Sequence, residues 1–305
     1  MREPALVRLL PDGRRLHLHD GPIDLIVQAE GSWAVESAYR TAAARFVTIL
    51  DELCAELPVL RAPARPDGME PNGAIAQKMF AAVQPYCDHH FITPMAAVAG
   101  AVAEEVLSAM TQSAELDRAY VNNGGDIAVH LAPGCRYRIG MIERPEKLTL
   151  FGAVEISADS AVRGIATSGW RGRSFSLGIA DAVTVLAASA SDADAAATII
   201  GNAVDLPGHL GIVRVPAREI APDSDLGDLL VTRGVGMLAS RDIDEALERG
   251  VRVGEELREQ GRIHSAALCL QSHIRTVTSR DGLRRPFLES PFSQVAPTQR
   301  SLPHA

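Results

Sequence analysis

The sequence has few aromatic residues, no concentrated basic segment and no long apolar run. Phe, Trp and Tyr make up only 4% of the 305 residues, although 47% of all residues are apolar. The core must therefore be built from small and branched aliphatic side chains. The formal net charge is −8, and a nucleic-acid-binding protein normally carries a concentrated basic face. Nucleic acid is therefore not an expected partner.

Cysteine is also sparse, and its spacing predicts neither a metal site nor a disulfide framework. The four cysteines are Cys54, Cys87, Cys135 and Cys269. They form no CxxC pair, so we expect free thiols. The first fifteen residues lack the apolar segment of a secretory signal, and stretches 96–110 and 179–190 are too short or too interrupted to span a bilayer. We expect a soluble cytoplasmic protein with no membrane partner.

The period of the apolar residues predicts an α+β fold with a large, mostly antiparallel sheet packed against helices. Residues 15–29 alternate around Asp20-Gly21, which predicts a hairpin. The predicted helices cover residues 33–57, 72–83, 94–112, 192–203 and 243–260, and residues 59–71 are predicted to form a loop. The predicted strands cover residues 119–121, 127–131, 137–142, 148–156, 164–166, 175–177, 182–187 and 263–278. One domain is expected over residues 1–279, followed by a proline-containing, disordered tail over residues 280–305.

Two glycine-containing loops are candidates for ligand binding. The first contains Asn123, Gly124, Gly125 and Asp126, between two predicted strands. Paired glycines permit positive φ and let a ligand approach the backbone closely, although a tight turn alone would also explain them. The second loop supplies hydroxyl groups, glycines and two arginines that can bind phosphate; its candidate residues are Thr167, Ser168, Gly169, Arg171, Arg173 and Ser174. A polar hairpin with solvated arginines is the alternative for this loop.

Acidic residues near the predicted helix 192–203 are candidates for a cation site. Asp194 and Thr198 are four residues apart and therefore share one helical face. Carboxylate and hydroxyl oxygens are ligands that suit Mg²⁺. Asp192 or Ser191 is expected to cap this helix. Asp181, which opens an apolar strand, either bonds nearby backbone donors or serves as a second carboxylate beside Asp194.

Four segments, taken in order, resemble the ApbE superfamily of FAD:protein FMN transferases, and most closely its uncharacterised cytoplasmic branch. The segments are Phe91-Ile92-Thr93-Pro94-Met95-Ala96-Ala97-Val98-Ala99-Gly100, Tyr120-Val121-Asn122-Asn123-Gly124-Gly125-Asp126-Ile127, Gly164-Ile165-Ala166-Thr167-Ser168-Gly169, and Asp194 to Thr198 followed by residues 199–204. The resemblance extends over about residues 15–275. Proteins of that superfamily transfer FMN from FAD onto a threonine or serine of a target protein, using Mg²⁺.

The resemblance implies roles for the candidate residues. Asp194 and Thr198 would bind the cation, the loop from Asn123 to Asp126 would border a nucleotide, and the segment from Thr167 to Gly169 would lie beside its phosphates. Apart from the resemblance, we predict that Asp181 and Asp194 hold the cation and are the catalytic carboxylates, and that Arg171 and Arg173 bind phosphate. The transferases continue their ATSG-like segment with a histidine-rich stretch and carry a lysine in an AKG-like turn. This chain has no histidine between Gly169 and Asp181, and has Val98-Ala99-Gly100 at the turn.

These observations predict an ApbE-like protein that binds a flavin, another nucleotide or another phosphorylated small molecule. If the protein is catalytic, this ligand is its substrate. The expected cofactors are Mg²⁺ and FAD or another nucleotide. One alternative is an Mg²⁺-dependent flavin transferase with a rearranged catalytic base. Another is a non-catalytic accessory protein. The sequence leaves open whether the chain forms a homodimer.

Overall fold

A computed structural model describes residues 4–31, 33–142, 150–278 and 287–288. Its strands are β1 (Leu6–Leu9), β2 (Arg15–Asp20), β3 (Ile23–Glu30), β4 (Arg118–Asn123), β5 (Asp126–Leu131), β6 (Arg136–Ile142), β7 (Leu150–Ser157), β8 (Gly164–Ser168), β9 (Ala182–Ala187), β10 (Ile212–Pro216), β11 (Leu230–Val235), β12 (Ser265–Leu270), β13 (His273–Val277) and β14 (Phe287–Leu288). Its α-helices are α1 (Val35–Ala55), α2 (Leu57–Leu60), α3 (Ala74–Val83), α4 (Val98–Ser113), α5 (Ala190–Ala203), α6 (Ala217–Ile220) and α7 (Ser240–Glu259).

Nine of these strands form one antiparallel sheet, in the order β1-β2-β3-β4-β5-β8-β9-β12-β13. Along β3 the residues alternate between buried and half-buried, as expected when one face of the strand packs on a core. All six residues of β9 and of β12 are buried, so both faces of the sheet are covered at these strands. The predicted α+β class with a large antiparallel sheet is confirmed.

The helices pack on one face of this sheet, with α4 between α1 and α5, and α7 against the other side of α5. Helix α5 is rich in buried alanine, which lets its backbone approach its neighbours closely. At β8 the approach is direct, because a Cβ atom on Gly164 would lie 1.9 Å from the carbonyl oxygen of Ser189. The start of α5 therefore packs against bare backbone of the central sheet.

The opposite face of the sheet is covered in part by a three-stranded sheet of order β14-β7-β6. A small apolar cluster lies between the two sheets and contains Val129, Leu131, Val154, Ile156, Val162, Ile165 and Leu186. Strands β10 and β11 pair separately as a two-stranded ribbon. No helix within the described ranges has the length and apolar character needed to cross a bilayer.

The predicted hairpin over 15–29 is confirmed, since β2 and β3 pair antiparallel from Arg15↔Gln28 to Asp20↔Ile23. The five predicted helices are present as α1, α3, α4, α5 and α7, with a short 3-10 turn at Pro94–Ala97 before α4. The cap of α5 differs from the prediction. Ser189, not Ser191 or Asp192, accepts the backbone N–H of Asp192 at 3.1 Å.

Two predicted strands are wrong. Residues 175–177 form a loop, and residues 263–278 form two strands, β12 and β13, that fold back on each other. The tight turn between them consists of Gln271 and Ser272, whose φ angles are +46° and +65°. Because neither residue is glycine or asparagine, the sequence gives no turn signal here. Strands β1, β10 and β11 and the short α2 and α6 were not predicted, and α2 includes the first two residues of the predicted loop 59–71. Of the predicted tail, only β14 lies within the described residues.

We expect Gly164→Ala to lower the free energy of unfolding by about 3 kcal/mol or more, because the new methyl group would overlap the Ser189 carbonyl. Gly234→Ala is the matched control within a strand. Its Cβ would lie 3.6 Å from the side chain of Val213, which is ordinary contact, so we expect a change within about 1 kcal/mol. Urea unfolding of both variants measures the difference, and equal stabilities would contradict the close packing of α5 on β8.

Candidate active site

Two carboxylates approach each other where β5 and β8 meet the first turns of α4 and α5. Asp126 opens β5, and its Oδ1 accepts the backbone N–H of Thr167 at 3.1 Å. The β5–β8 ladder ends at the Ile127↔Ile165 pair. Beyond that pair, the N–H of Thr167 in β8 is bonded to the side chain of Asp126 and not to a backbone carbonyl of β5. This bond fixes the carboxylate at the end of β5, on the face of the sheet that the helices cover.

Asp194 reaches the same place from α5. Its Oδ2 accepts the backbone N–H of Gly100 at 3.1 Å, and the N–H of Ala99 also favours its charged form. Both donors belong to the first turn of α4, where backbone N–H groups have no partner within the helix. Gly100 is required for this contact, because a Cβ atom there would lie 2.2 Å from the carbonyl oxygen of Ala190.

The two carboxyl groups are half-buried, and each has a pKa above its usual range. Burial raises the pKa of Asp126 to about 7. Burial, followed by the negative charge of Asp126, raises the pKa of Asp194 well above its usual range. Among the described residues, no lysine or arginine forms an ion pair with either group. The pair therefore either holds a proton or needs a cation to be fully ionised.

The glycine turn lies beside this pair. Gly124 and Gly125 have φ angles of +68° and +120°, so the turn depends on glycine. Asn122 Oδ1 accepts the N–H of Gly125 at 2.9 Å, and Asn123 Nδ2 donates to the carbonyl of Ala99 at 3.2 Å. No atom lies within 4 Å of the position that a Cβ on Gly125 would occupy. A ligand therefore has access to the backbone of this turn.

Arg173 lies over the same turn. Its Nη1 is 3.3 Å from the position of a Cβ on Gly124, and its Nη2 donates to the carbonyl of Pro22 at 2.8 Å. The loop after β8 thus folds back toward the glycine turn and the β2–β3 turn. Arg173 is exposed, so its guanidinium can meet an anion bound at Gly124-Gly125.

Asp181 and Arg171 bind each other. Arg171 Nε donates to Asp181 Oδ1 at 2.7 Å, and the indole N–H of Trp170 donates to the same oxygen at 3.2 Å. Asp181 Oδ2 accepts the backbone N–H of Gln271 at 2.6 Å. The Asp181 side chain is only 1% exposed. Its contacts are those of a residue that anchors the loop after β8, and the bond from Gln271 corresponds to the first of the two roles that the sequence left open.

The remaining predicted residues divide between packing and the site. A Cβ on Gly169 would lie 2.4 Å from the carbonyl of Asp181, so this glycine serves close packing. The Thr167 hydroxyl bonds to Thr184 Oγ1 at 2.9 Å, and only its backbone N–H reaches Asp126. Ser168 lies near Gly201 of α5, and Ser174 is exposed in the loop. Thr198 is half-buried, one turn of α5 beyond Asp194.

Sequence reasoning missed two groups at this site, namely the first turn of α4 and Glu104. Glu104 Oε1 accepts from the backbone N–H and the hydroxyl of Ser191, at 2.7 and 2.9 Å. The glycine within an otherwise helical pattern at Gly100 is the signal that could have indicated a close contact. Within the described ranges, no group of three or more His, Cys, Asp or Glu residues is placed to hold a metal ion. Any cation here would depend on the two aspartates with hydroxyl, backbone or ligand oxygens.

The structure thus defines an α+β protein with an acidic pair at the ends of two central strands of a nine-stranded antiparallel sheet, beside the starts of two helices. The chain belongs to the family described as "AbpE bacteria", whose model matches residues 7–276. The predicted resemblance to an uncharacterised ApbE-like branch is confirmed by this match.

Curated relatives match part of the chain. A UPF0280 protein of Methanothrix thermoacetophila is 41% identical over 114 residues, which are 37% of this chain and 46% of that protein. A UPF0280 protein of Methanopyrus kandleri is 33% identical over 182 residues, which are 59% of this chain and 69% of that protein. The matched region thus spans less than half of the first relative and about two thirds of the second.

Solved structures with similar folds share little sequence with this chain. The apo form of the flavinyl transferase ApbE of Pseudomonas stutzeri is 12% identical with a TM-score of 0.47, and the match covers 91% of this chain and 96% of that one. The ApbE protein of Thermotoga maritima is 12% identical with a TM-score of 0.48, covering 90% and 96%. Similarity at this level supports no conclusion about the chemistry of this chain.

We expect the acidic pair to make the cation-free protein less stable as the pH rises. Asp126 holds a proton in the folded state up to about pH 7, whereas an unfolded aspartate releases it near about pH 4. The folded state therefore binds more protons between these values, and stability falls across that window. One pKa unit corresponds to about 1.4 kcal/mol, and partial solvent contact reduces the effect to about 1–3 kcal/mol.

The measurement is urea unfolding in EDTA from pH 4 to pH 8, comparing the wild type with Asp126→Asn. Subtracting the unfolding free energy of the variant from that of the wild type cancels the contributions of the other carboxylates, including those whose pKa is lowered by ion pairs. The wild type should lose stability relative to the variant as the pH rises, and Asp192→Asn should reproduce the wild-type slope. A wild type that gains stability relative to Asp126→Asn over this window would contradict the buried pair.

We expect Arg171→Ala to lower the free energy of unfolding by about 3 kcal/mol, because it leaves the Asp181 carboxylate buried without its ion-pair partner. Arg173→Ala is the matched control two residues away. Since Arg173 is exposed, its loss should change stability by less than about 1 kcal/mol. Thermal and urea unfolding distinguish the two, and equal effects would mean that Asp181 does not anchor the loop through Arg171.

Proposed function

We propose that the site binds a flavin nucleotide or another phosphorylated small molecule together with a divalent cation. The observation that carries this proposal is the Asp126–Asp194 pair, which no described basic side chain neutralises, beside the accessible Gly124-Gly125 turn. The charge of Asp126 disfavours ionisation of Asp194, and a divalent cation between the two carboxylates would remove this repulsion. The unit that binds is proposed to be one domain over residues 1–279.

The donor set fits a hard cation such as Mg²⁺. Asp126 Oδ1 and Asp194 Oδ2 each accept a backbone N–H, which orients the two carboxylates. Carboxylate oxygens have further lone pairs that can bind a cation. Thr198, one helical turn beyond Asp194, can add a hydroxyl oxygen. Mg²⁺ commonly keeps several waters and uses one or two carboxylates plus substrate phosphates. A bound cation would supply positive charge that neutralises a phosphate or pyrophosphate group.

The chain's own residues supply the rest of an anion site. The glycine turn lets a phosphate approach backbone N–H groups, and Arg173 brings a guanidinium to the same place. Arg171, which was also predicted to meet phosphate, is bound to Asp181. Arg173 is therefore the arginine that we assign to the ligand.

Membership of the ApbE-like family favours a flavin as the ligand and FMN transfer as the second candidate function. The Asp194-to-Thr198 segment and the Asn123-to-Asp126 loop match that family's motifs, and they lie together with the acidic pair. The loop from Gly169 to Asp181 has no histidine, so transfer would need a different base. An accessory role without catalysis is the alternative if no nucleotide binds.

The test is thermal and calorimetric titration of the full chain with FAD, FMN, AMP and ATP, with and without Mg²⁺. A ligand at a hundredfold excess over its Kd stabilises the folded state by about 2.7 kcal/mol. We expect an Mg²⁺-dependent shift that Asp194→Asn abolishes, and an affinity about tenfold lower in Arg173→Ala. Asp192→Asn, which changes a carboxylate on the same helix that is bonded to Ser189, is the control.

The outcomes separate the candidate functions. Release of AMP from FAD in the presence of Mg²⁺, measured by chromatography, would identify the transferase. Binding without AMP release would support ligand binding alone. A flat response to every nucleotide, with and without Mg²⁺, would contradict the proposal and favour the accessory role.

A further inference from the structure

Glu104 joins α4 to the start of α5. Its Oε1 accepts two hydrogen bonds from Ser191, one from the backbone N–H at 2.7 Å and one from the hydroxyl at 2.9 Å. Ser191 is buried and belongs to the first turn of α5, three residues before Asp194. The backbone N–H that Glu104 binds is one of those that a helix start leaves without an intrahelical partner.

Glu104 and Gly100 are four residues apart and therefore lie on the same face of α4. Gly100 binds the Asp194 carboxylate through its N–H, and Glu104 binds Ser191 one turn away. These two contacts fix both the position and the rotation of the first turns of α5 relative to α4. The side chain of Asp194 cannot turn away from Asp126 unless one of the two contacts breaks.

Charge attraction does not explain why a carboxylate occupies position 104. The negative charge of Glu104 disfavours ionisation of Asp194 and raises its pKa. In the part of the chain that the structure describes, no arginine or lysine pairs with Glu104, whereas its neighbour Glu105 pairs with Arg45 and Lys78 at 2.9 and 2.7 Å. Glu104 therefore contributes an acceptor oxygen in the right position to bind Ser191.

We propose that Glu104 is a positioning residue for the cation site, which holds the start of α5 so that Asp194 faces Asp126. The inference rests on the proposed function, because it concerns the same pair of aspartates. Glu104 acts through Ser191 and does not itself contact the cation.

The experiment measures Mn²⁺ binding to the full chain, by the electron paramagnetic resonance signal of free Mn²⁺ and by water-proton relaxation of the bound ion. Glu104→Ala should weaken Mn²⁺ binding about tenfold. It should also raise the relaxation enhancement of bound Mn²⁺, because water replaces the displaced Asp194 oxygen. A loss of stability alone would not change the number of waters on the bound ion.

Matched variants distinguish an effect of the hydrogen bonds of Glu104 from an effect of its negative charge and from a general loss of protein stability. Glu104→Gln keeps an acceptor oxygen for Ser191 and should stay within about threefold of wild-type affinity. Glu105→Ala breaks the ion pairs at the next residue of α4 and should leave Mn²⁺ affinity unchanged. If Glu104→Ala does not fold, Ser191→Ala removes one of the two hydrogen bonds and should weaken binding about threefold, with the same change in relaxation.

The failures of the two proposals are distinguishable. If the wild type binds Mn²⁺, Asp194→Asn does not, and Glu104→Ala or Ser191→Ala binds like the wild type, Glu104 has no positioning role and the cation site stands. Equal losses in Glu104→Ala and Glu104→Gln would show that charge, not position, matters. If the wild type and Asp194→Asn bind Mn²⁺ alike, the proposed cation site is wrong, and the inference on Glu104 fails with it.

Discussion

The start of α5 is held between two glycines, and the candidate site depends on this packing. Gly164 of β8 lies against the carbonyl of Ser189, and Gly100 of α4 lies against the carbonyl of Ala190, each with no room for a Cβ atom. A side chain at either position would push α5 away from the sheet or from α4. Because Asp194 is only one turn further along α5, any such shift would separate it from Asp126 and from the N–H of Gly100.

The same close packing creates the electrostatic character of the site. The carboxylates of Asp194 and Asp126 accept hydrogen bonds from the backbone N–H groups of Gly100 and Thr167. These donors carry no net charge, so they do not neutralise the aspartates as a basic side chain would. Backbone donors favour the ionised form of both carboxyl groups, whereas burial opposes it and raises both pKa values. The negative charge of Asp126 raises the pKa of Asp194 further. A site built in this way has a stronger need for an external cation than one in which an arginine already neutralises the aspartates.

Local patterns made part of this arrangement predictable. The spacing of Asp194 and Thr198 places both on one face of a helix in any context, and the paired glycines at 124 and 125 require a turn. The pairing of Asp126 with Asp194 could not be predicted, because it depends on where the β5–β8 ladder ends. Glu104 carries no motif at all, and only the crossing of α4 and α5 brings it to Ser191. Two roles remained open for Asp181 because sequence cannot show that Arg171 and the N–H of Gln271 lie within reach.

The β12–β13 turn explains why the loop after β8 can be anchored at one end and accessible at the other. Gln271 adopts a positive φ of +46°, which costs a residue with a side chain about 1 kcal/mol relative to glycine. In that conformation its backbone N–H binds Asp181, and its side-chain amide bonds to the carbonyl of Gly236 and the N–H of Leu238. These bonds offset the strain and fix Asp181, which in turn holds Trp170 and Arg171. Arg173, two residues beyond this anchor, is left exposed over the glycine turn, where its side chain can exchange the Pro22 carbonyl for a bound anion without disturbing the fold.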